Sequence, residues 1–326
     1  MAKYVIGVDG GGTKTVGVLM DESGRIWSKE VGPSSNFQVI GAEKLGQVLS
    51  DLVKTLIVEA GLELDKPDYL YAGLAGAGRP ADRQAISGVL AELDIAREFT
   101  VGTDAEAALG GAFAGGPGII LISGTGMICF GKGKDGTIVR SGGWGYLLGD
   151  EGSGYYIGQQ AILAALKDLD GRGDKTSLRQ RVEKEFNLPS IDLIISDIYS
   201  GKIDRTRIAS LAPLVFEEAE KGDAVARQIV ATAGTELGKL PAAVAKKLGI
   251  EDEKVTVALI GSVFKQRKVL EPYMRSEALK TVKEIEFIEP RFEPAIGSTI
   301  LALQAEGVAI TPELLKAIEI SSKETL

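Results

Sequence analysis

A glycine-rich segment close to the N-terminus combines residue types that bind phosphate. Residues 9–14 read Asp-Gly-Gly-Gly-Thr-Lys and lie between two short apolar runs, each of which predicts a buried strand. Glycines let several backbone N–H groups converge on a phosphate, and Thr13 and Lys14 add a hydroxyl donor and a positive charge. Asp9 is placed to hold a magnesium ion through water. A plain hairpin turn would have the same glycines, so this segment alone leaves both interpretations open.

The composition is that of a globular protein with two domains. The 326 residues exceed one ordinary core, and 44% hydrophobic with 25% charged residues is typical of soluble chains. The sequence contains no run of roughly 18 uncharged apolar residues. Its first residues lack the pattern of a signal peptide. We therefore expect a cytoplasmic protein without a membrane partner.

The charge and the missing residue types narrow the chemistry. A net charge of −8 argues against a nucleic acid partner, since a phosphate backbone selects a basic surface. Because the chain has no histidine, a catalytic base should be a carboxylate, or less favourably a lysine or tyrosine. A metal site should then use oxygen ligands, which favours magnesium over zinc. Cys129 is the single cysteine, so an internal disulfide framework is excluded.

The first part of the chain alternates strands and helices. Three strands over residues 4–31 predict an antiparallel meander. The elements predicted after it are a helix at 41–61, a strand at 69–75, a helix at 80–93, a strand at 99–103 and a helix at 105–114. The glycine-rich stretch 115–118 that follows is typical of a domain junction.

The opening pattern recurs after this junction. Residues 119–122 predict a buried strand, 123–126 a Ser-Gly-Thr-Gly turn, and 127–131 a returning strand. We infer an internal duplication, because both copies begin as apolar strands and both turns pair Gly with Thr; a chance repeat of a common hairpin is the alternative. The remaining predicted elements are helices at 154–169, 203–220, 223–248, 295–306 and 311–320 and strands at 137–140, 255–260 and 285–288; the strand at 137–140 completes a second meander.

Two Gly/Thr turns suit the phosphates of a nucleotide held between two domains. A third glycine turn, Gly261-Ser262, comes at the end of a predicted strand and could hold the nucleoside. Ligands of α/β sheets usually lie at such carboxyl ends of strands.

Four polar side chains are further candidates for binding or catalysis. Asp9 and Asp104 both end predicted strands of the first half, so both would point into the same cleft; a structural capping role is the alternative. Asp150 is flanked by glycines, and a carboxylate in so mobile a stretch is costly to order unless it binds something. Asn36 lies in a polar loop, where most asparagines are turn residues.

Motifs spread over nearly the whole chain resemble the BadF/BadG-type ATPase family, and within it the branch of N-acetylglucosamine and glucosamine kinases. They are Asp9-Gly-Gly-Gly-Thr13, Ser123-Gly-Thr-Gly126, Gly142-Gly-Trp-Gly145, Gly149-Asp-Glu-Gly-Ser153 and Gly261-Ser-Val263. The resemblance implies a duplicated actin-like (ribonuclease H-like) α/β fold with ATP and sugar bound in the interdomain cleft. We expect one lobe at 1–115, joined by the C-terminal helix 308–326, and a second at 116–307 with a helical insertion.

The resemblance also implies a role for each matching residue. Asp104 would accept the proton of a sugar 6-hydroxyl, and Asp9 would hold Mg²⁺. The implied ATP-binding residues are Gly11, Gly12, Thr13, Lys14, Gly124, Thr125, Gly126, Gly261 and Ser262; the implied sugar-binding residues are Asn36, Asp104, Gly143, Trp144 and Asp150. The implied activity is ATP-dependent phosphorylation of N-acetylglucosamine, glucosamine or a related hexose, by enzymes that are often homodimers.

Two departures from family patterns bear on this expectation. The activator ATPases of the same family hold an iron–sulfur cluster with two cysteines from each of two subunits, which Cys129 alone cannot supply. We interpret Cys129 as a small buried strand residue, and an ATP-hydrolysing activator stays the alternative function.

Residues 73–79 lie where the family lines its sugar pocket but differ from the serine-rich animal version. Glucosamine, N-acetylmuramic acid and glucose therefore stay open as substrates beside N-acetylglucosamine.

Overall fold

The computed structural model describes residues 2–325 and divides the chain into two compact units. The first unit consists of Met1–Pro117 together with Pro290–Leu326, and the second consists of Gly118–Glu289. Each unit contains one five-stranded mixed sheet covered by helices. The fold class is therefore α/β, as predicted.

The sheet of the first unit has the strand order β3-β2-β1-β4-β5. Its strands are β1 (Tyr4–Gly10), β2 (Lys14–Asp21), β3 (Ile26–Pro33), β4 (Tyr69–Leu74) and β5 (Glu98–Gly102). The first three strands are antiparallel neighbours, whereas β4 pairs with β1 and β5 pairs with β4 in parallel. The carboxyl ends of β1, β4 and β5 consequently meet at one edge of the sheet.

The sheet of the second unit repeats this arrangement. Its strands are β6 (Gly118–Ser123), β7 (Met127–Lys132), β8 (Ile138–Gly142), β9 (Lys254–Ile260) and β10 (Glu284–Ile288). The strands β6, β7 and β8 form an antiparallel meander, β9 is parallel to β6, and β10 is parallel to β9. Read from the meander edge, the order β8-β7-β6-β9-β10 matches β3-β2-β1-β4-β5 strand for strand. The duplication inferred from the sequence thus has a structural counterpart.

Twelve α-helices are assigned among the described residues. They are α1 (Phe37–Ala60), α2 (Pro80–Leu93), α3 (Asp104–Phe113), α4 (Gly154–Asp170), α5 (Leu178–Glu185), α6 (Ile194–Tyr199), α7 (Arg205–Ala209), α8 (Ala212–Lys221), α9 (Ala224–Leu248), α10 (Arg267–Ala278), α11 (Pro294–Ala305) and α12 (Pro312–Glu324). None of the helices in residues 2–325 is both long and apolar enough to cross a membrane.

Helix α11 packs in the first unit, whereas the boundary expected from the sequence assigned residues 295–306 to the second lobe. The reason is a close backbone approach that only glycine permits. A side chain at Gly7 of β1 would collide with the backbone of Thr299, and one at Gly297 would collide with Gly111 of α3. Ser298 completes the contact, since its hydroxyl donates to the carbonyl oxygen of Val8 over 2.9 Å.

The helical part of the second unit differs from the sequence prediction in one respect that matters for the site. The predicted single helix at 203–220 is wrong, because the chain forms α7 and α8 with a break at Ser210 and Leu211. Pro213 lies in the first turn of α8, where its missing N–H costs no helical hydrogen bond. The helices α5, α6 and α10 were not individually predicted: α5 and α6 are short, and α10 contains a proline, Pro272, in its interior.

Candidate active site

The glycine turn between β1 and β2 is short and internally bonded. Gly11 N–H donates to the carbonyl oxygen of Lys14 over 2.9 Å, which closes the turn. The Ser34 hydroxyl donates to the carbonyl oxygen of Gly11 over 3.0 Å and ties the turn to the loop after β3. The residues at the tip, Gly12, Thr13 and Lys14, are exposed. This part of the predicted phosphate site is thus held rigidly at its base and open at its tip.

Asn36 lies next to this turn and begins helix α1. Its side-chain oxygen accepts from the N–H of Gln38 over 3.1 Å, so the residue is the N-cap of the helix. An added side chain at Gly12 would come within 3.9 Å of the Asn36 amide nitrogen, and one at Gly76 within 3.0 Å of its oxygen. Asn36 therefore sits between the first glycine turn and the turn that follows β4, with its amide group free to donate.

Asp9 and Asp104 occupy the carboxyl edge of the first sheet. Asp9 is the next-to-last residue of β1 and lies opposite Gly73 of β4. Asp104 was predicted to end a strand, but it is the first residue of α3, directly after β5 and the N-cap Thr103. A side chain at Gly73 would collide with Ala107 of α3, so this glycine lets the helix approach the strand.

The two carboxylates share an environment that disfavours negative charge. Burial and the neighbouring charges of Asp104 and Glu293 raise the pKa of Asp9 to about 6. The pKa of Asp104 is raised as well, mainly because surrounding protein displaces water from the carboxylate, although the residue keeps an exposed surface. With a pKa of about 6, Asp9 is largely ionised at neutral pH and can bind a cation or a proton.

The turn between β6 and β7 is built into the start of helix α4. Gly124 N–H donates to the carbonyl oxygen of Gly126 over 2.9 Å, and the Gly124 carbonyl oxygen accepts from Gly154 N–H over 2.7 Å. Ser153 is the N-cap of α4, and its hydroxyl accepts from the N–H of Tyr156. A side chain at Gly124 would project into open space, so the turn leaves room beside its backbone.

Asp150 packs against this second turn. Its Oδ1 accepts from the N–H of Met127 over 3.4 Å, and an added side chain at Gly126 would come within 2.9 Å of its Oδ2. The residue is buried and has a φ of 68°, a left-handed conformation that non-glycine residues seldom adopt. Burial raises the pKa of its carboxyl above the usual value. Local strain and a buried acid at one position are typical of a functional residue.

Gly143 and Trp144 lie in an irregular segment that presents apolar surface. Gly143 has a φ of 73°, and a side chain there would collide with Ile128 of β7, so this position requires glycine. The Trp144 ring is 65% exposed and lies under the guanidinium of Arg140, whose carbon is 4.6 Å from the ring centroid. Trp144 therefore offers one ring face to a ligand.

Gly261 and Ser262 follow β9, and Ser262 lines a cavity of about 330 Å³ in the second unit. Gly261 has a φ of 113°, and a side chain there would collide with the carbonyl oxygen of Ser123. The other lining residues are Gly124, Thr125, Gly154, Thr206, Ala209, Ser210, Ala212, Pro213, Phe216, Val263, Lys265 and Gln266. The cavity thus joins the second and third glycine turns.

Sequence reasoning missed the wall of this cavity that comes from α7 and α8. Ala209, Ser210, Ala212 and Pro213 reach the cavity because the chain breaks between the two helices. The available signal was Pro213, since a proline restricts the residue before it and often marks a helix start.

The predicted site residues fall into two groups, one in each unit. The first unit brings together the glycine turn 11–14, Asp9, Asn36 and Asp104, while the second brings together the turn 124–126, Asp150, Gly261 and Ser262. Gly143 and Trp144 lie on the second unit, in the segment that leads to Asp150. Cys129 lies fully buried in β7, as interpreted from the sequence.

The chain is similar to known proteins over nearly its whole length. The model of the BadF/BadG/BcrA/BcrD ATPase family matches residues 6–302. The chain is 35% identical over 300 residues to an N-acetylmuramic acid/N-acetylglucosamine kinase of Clostridium acetobutylicum, covering 92% of this chain and 98% of the relative. It is 31% identical over 318 residues to the N-acetyl-D-glucosamine kinase of Dictyostelium discoideum, covering 94% of this chain and 100% of that one.

A solved structure supports the fold over the whole length. The crystal structure of a Chromobacterium violaceum protein, assigned provisionally as an N-acetylglucosamine kinase, superposes with a TM-score of 0.71 at 29% identity. The match covers 93% of this chain and 99% of that protein. Together with the repeated sheet topology, these matches agree with the predicted actin-like fold. The chain belongs to the BadF/BadG/BcrA/BcrD ATPase family.

Proposed function

We propose that this protein is an ATP-dependent sugar kinase that phosphorylates the 6-hydroxyl of an amino sugar. The observation that supports this most directly is the pairing of two features: the cavity beside the turn 124–126 in one unit, and the carboxylates of Asp9 and Asp104 in the other. A phosphoryl transferase needs both a nucleotide site and a base for the acceptor hydroxyl.

The second unit supplies the nucleotide site in this proposal. A cavity of about 330 Å³ with small apolar residues on one wall suits a nucleoside, since binding pockets for such ligands are concave and mostly apolar. The N–H groups of Thr125 and Gly126 in the glycine turn would bind phosphate, whereas the first N–H groups of α4 already donate within the unit. The glycine turn 11–14 supplies a further phosphate contact, with Thr13 and Lys14 as side-chain donors.

The first unit supplies the acceptor site. Asn36 would bind a ring hydroxyl through its amide group, and Asp104 would accept the proton of the 6-hydroxyl. In the reaction the sugar O6 forms a bond to the γ-phosphorus, the bond from that phosphorus to the β-phosphate oxygen breaks, and ADP leaves. Asp104 mainly orients the hydroxyl, because phosphoryl transfer depends chiefly on positioning and charge stabilisation.

The residues present also fit Mg²⁺. Asp9 offers hard oxygen donors in a region where neighbouring carboxylates raise its pKa, so a divalent cation would relieve that repulsion. No cluster of three or more acidic, histidine or cysteine side chains suited to a metal occurs in residues 2–325. Asp9 would therefore hold the ion through water, with nucleotide phosphates as further ligands. When bound, Mg²⁺ would neutralise charge on those phosphates.

The sugar is proposed from the relatives and from the shape of the turn after β4. Curated relatives that cover nearly the whole chain act on N-acetylglucosamine, and one of them also on N-acetylmuramic acid. The turn at 75–79 has only small side chains before Arg79, which leaves room for a substituted sugar. N-acetylglucosamine is therefore our first substrate, with N-acetylmuramic acid and glucosamine next. Cytoplasmic location and a homodimer stay predictions.

The test is an ADP-release assay with Mg-ATP against each of N-acetylglucosamine, N-acetylmuramic acid, glucosamine, N-acetylmannosamine, glucose and no sugar. The Asp104→Asn variant runs beside the wild type, with Asp51→Asn as a control because Asp51 is an exposed acid on α1. We expect release that requires an amino sugar, is lost in Asp104→Asn and is unchanged in Asp51→Asn. Slow release that is indifferent to every sugar would contradict the kinase and favour an ATP-driven activator.

A further inference from the structure

One guanidinium joins the turn beside Asn36 to the start of the helix that carries Asp104. Arg83 lies on α2, and its Nε donates to the carbonyl oxygen of Ala77 over 2.9 Å. Its terminal nitrogen donates to Oε2 of Glu106 over 2.8 Å. The turn that contains Ala77 and the helix that contains Glu106 are separate elements, so this side chain is a bridge between them.

Glu106 sets the backbone immediately before Asp104. Its Oε2 accepts from the N–H of Thr103 over 2.6 Å and from the Thr103 hydroxyl over 3.0 Å. The Thr103 hydroxyl in turn accepts from the N–H of Glu106 over 3.1 Å, which completes a capping box. Arg83 therefore binds the same carboxylate oxygen that orients the residue before Asp104.

The other end of the bridge lies beside the proposed sugar contact. Ala77 is in the turn at 75–79, and the neighbouring Gly76 lies so close to Asn36 that an added side chain would come within 3.0 Å of the Asn36 oxygen. A shift of the Ala77 carbonyl would therefore move the neighbouring Gly76, which packs against the Asn36 side chain. The planar guanidinium can hold two acceptors at a fixed separation, which a lysine ammonium does less well.

We propose that Arg83 is a positioning residue that keeps the Asp104 carboxylate in register with the sugar held at Asn36. The inference rests on the proposed function, because it assigns a task within the same acceptor site. Arg83 touches neither substrate nor reacting atoms; it acts through Glu106 and Ala77. Its side chain is 39% exposed, so the ion pair contributes little to global stability.

The loss of the bridge should therefore appear in the rate and not in the stability. Small displacements of a catalytic group cost much rate, and we expect kcat to fall about 10-fold in Arg83→Gln. The KM for ATP should stay unchanged, because Arg83 bonds to Ala77 and Glu106 and to neither the cavity nor the glycine turn 11–14 of the proposed nucleotide site. Arg83→Lys should be faster than Arg83→Gln and slower than the wild type. Lysine keeps a positive charge next to Glu106 but cannot hold Ala77 and Glu106 at a fixed separation as the planar guanidinium does.

The experiment measures kcat, both KM values and the melting temperature for the wild type, Arg83→Gln, Arg83→Lys, Glu106→Gln and the pair Arg83→Gln/Glu106→Gln. Glutamine at 106 keeps a capping acceptor and removes the charge. We expect the two single glutamine variants to lose similar rate and the double variant to lose no more than either, which is the signature of a shared contact. Arg97→Gln is the control, because Arg97 forms an exposed ion pair with Asp68 elsewhere in the same unit.

Two results would overturn the inference. One is wild-type kcat in Arg83→Gln; the other is a rate loss that follows a drop in melting temperature and is shared by Arg97→Gln. The proposed function is tested separately on the wild type: if no sugar stimulates its ADP release, the kinase proposal fails. A sugar-stimulated wild type with unaffected Arg83 variants would therefore reject the positioning role and keep the kinase.

Discussion

The two units have the same strand topology and different side-chain chemistry. The difference is clearest in the loop that follows β4 in the first unit and β9 in the second. In the first unit this loop follows β4 and lies beside Asn36; in the second it follows β9 and lines the cavity through Ser262 and Val263. The fold places a loop at the carboxyl end of the strand in both cases. What the loop binds is decided by its own residues.

The first turns of the two sheets differ in the same way. The turn after β1 has a carboxylate, Asp9, in its own strand, whereas the turn after β6 follows Ser123 and receives the carboxylate of Asp150 from a distant segment. In our proposal, then, one copy supplies the carboxylates of the acceptor and metal site, Asp9 and Asp104, and the other supplies backbone donors and a cavity for the nucleotide. The comparison predicts that mutations in the two units will affect different kinetic constants.

The largest expected effect is at Asp104. Asp104→Asn removes the proposed proton acceptor, and we expect kcat to fall about 10³-fold, within the range for general bases. The KM for ATP and the affinity for ATP measured by calorimetry should change little, because Asp104 lies outside the unit with the cavity. A large loss of ATP affinity in this variant would contradict the proposal that the first unit binds the acceptor and the second binds the nucleotide.

A smaller effect, on both stability and binding, is expected at Gly261. Gly261→Ala places a methyl against the Ser123 carbonyl at a φ of 113°. We expect the melting temperature to fall by about 3–10 °C, given the usual cost of such strain, and ATP binding to weaken. Gly88→Ala is the matched control, since a side chain there meets no atom within 4 Å. Equal behaviour of the two alanine variants would contradict the role of Gly261.

Filling the cavity should separate the two substrates. Ala209→Leu adds volume to the cavity wall, and we expect the KM for ATP to rise about 10-fold from overpacking against the nucleoside. The KM for the sugar should stay the same, and Ala42→Leu, on the exposed face of α1, should change neither. A rise in the sugar KM alone would assign this cavity to the acceptor instead.

The smallest effect expected is on the pH dependence of stability, at Asp9. Its folded pKa of about 6 lies above the ordinary value of 3.8, so the folded state holds this proton more tightly than the unfolded state does. This group therefore stabilises the fold more as the pH drops from about 7 to 4, and its ionised form destabilises the fold at neutral pH. Asp9→Asn should raise the melting temperature at pH 7.5 by about 2–4 °C in the absence of nucleotide and Mg²⁺.

Thermal unfolding of both proteins from pH 4 to pH 8 measures this effect. The Asp9→Asn curve should be flatter than that of the wild type and should meet it near pH 4. Parallel curves would mean that burial and the neighbouring Asp104 and Glu293 do not raise the pKa of Asp9, and would contradict the environment assigned to this carboxylate.

Much of the fold followed from local patterns in the sequence. Alternating apolar runs and Gly/Thr turns predicted both meanders and their duplication, because strand burial and turn conformation are short-range properties. Helix α2 was predicted with its observed bounds, helped by a proline in its first turn. The candidate site residues were found by residue type and by resemblance, and their roles stay predictions.

The tertiary structure decided what depends on packing between distant segments. The break between α7 and α8 makes one wall of the cavity. The local sequence pattern of residues 203–220 predicted one continuous helix and no pocket. The placement of α11 follows from the lack of a side chain at Gly7 and Gly297, which has meaning only when the two backbones meet.

The same distinction holds for the chemistry of the site. The sequence by itself determined that the catalytic base cannot be histidine and that any metal ligand set is built from oxygen. Only the tertiary structure placed Asp9 near Asp104, Asp150 against Gly126, and Arg83 between Ala77 and Glu106. The physical reason is that residue types are local, whereas electrostatic fields and bridging hydrogen bonds depend on distances that folding alone creates.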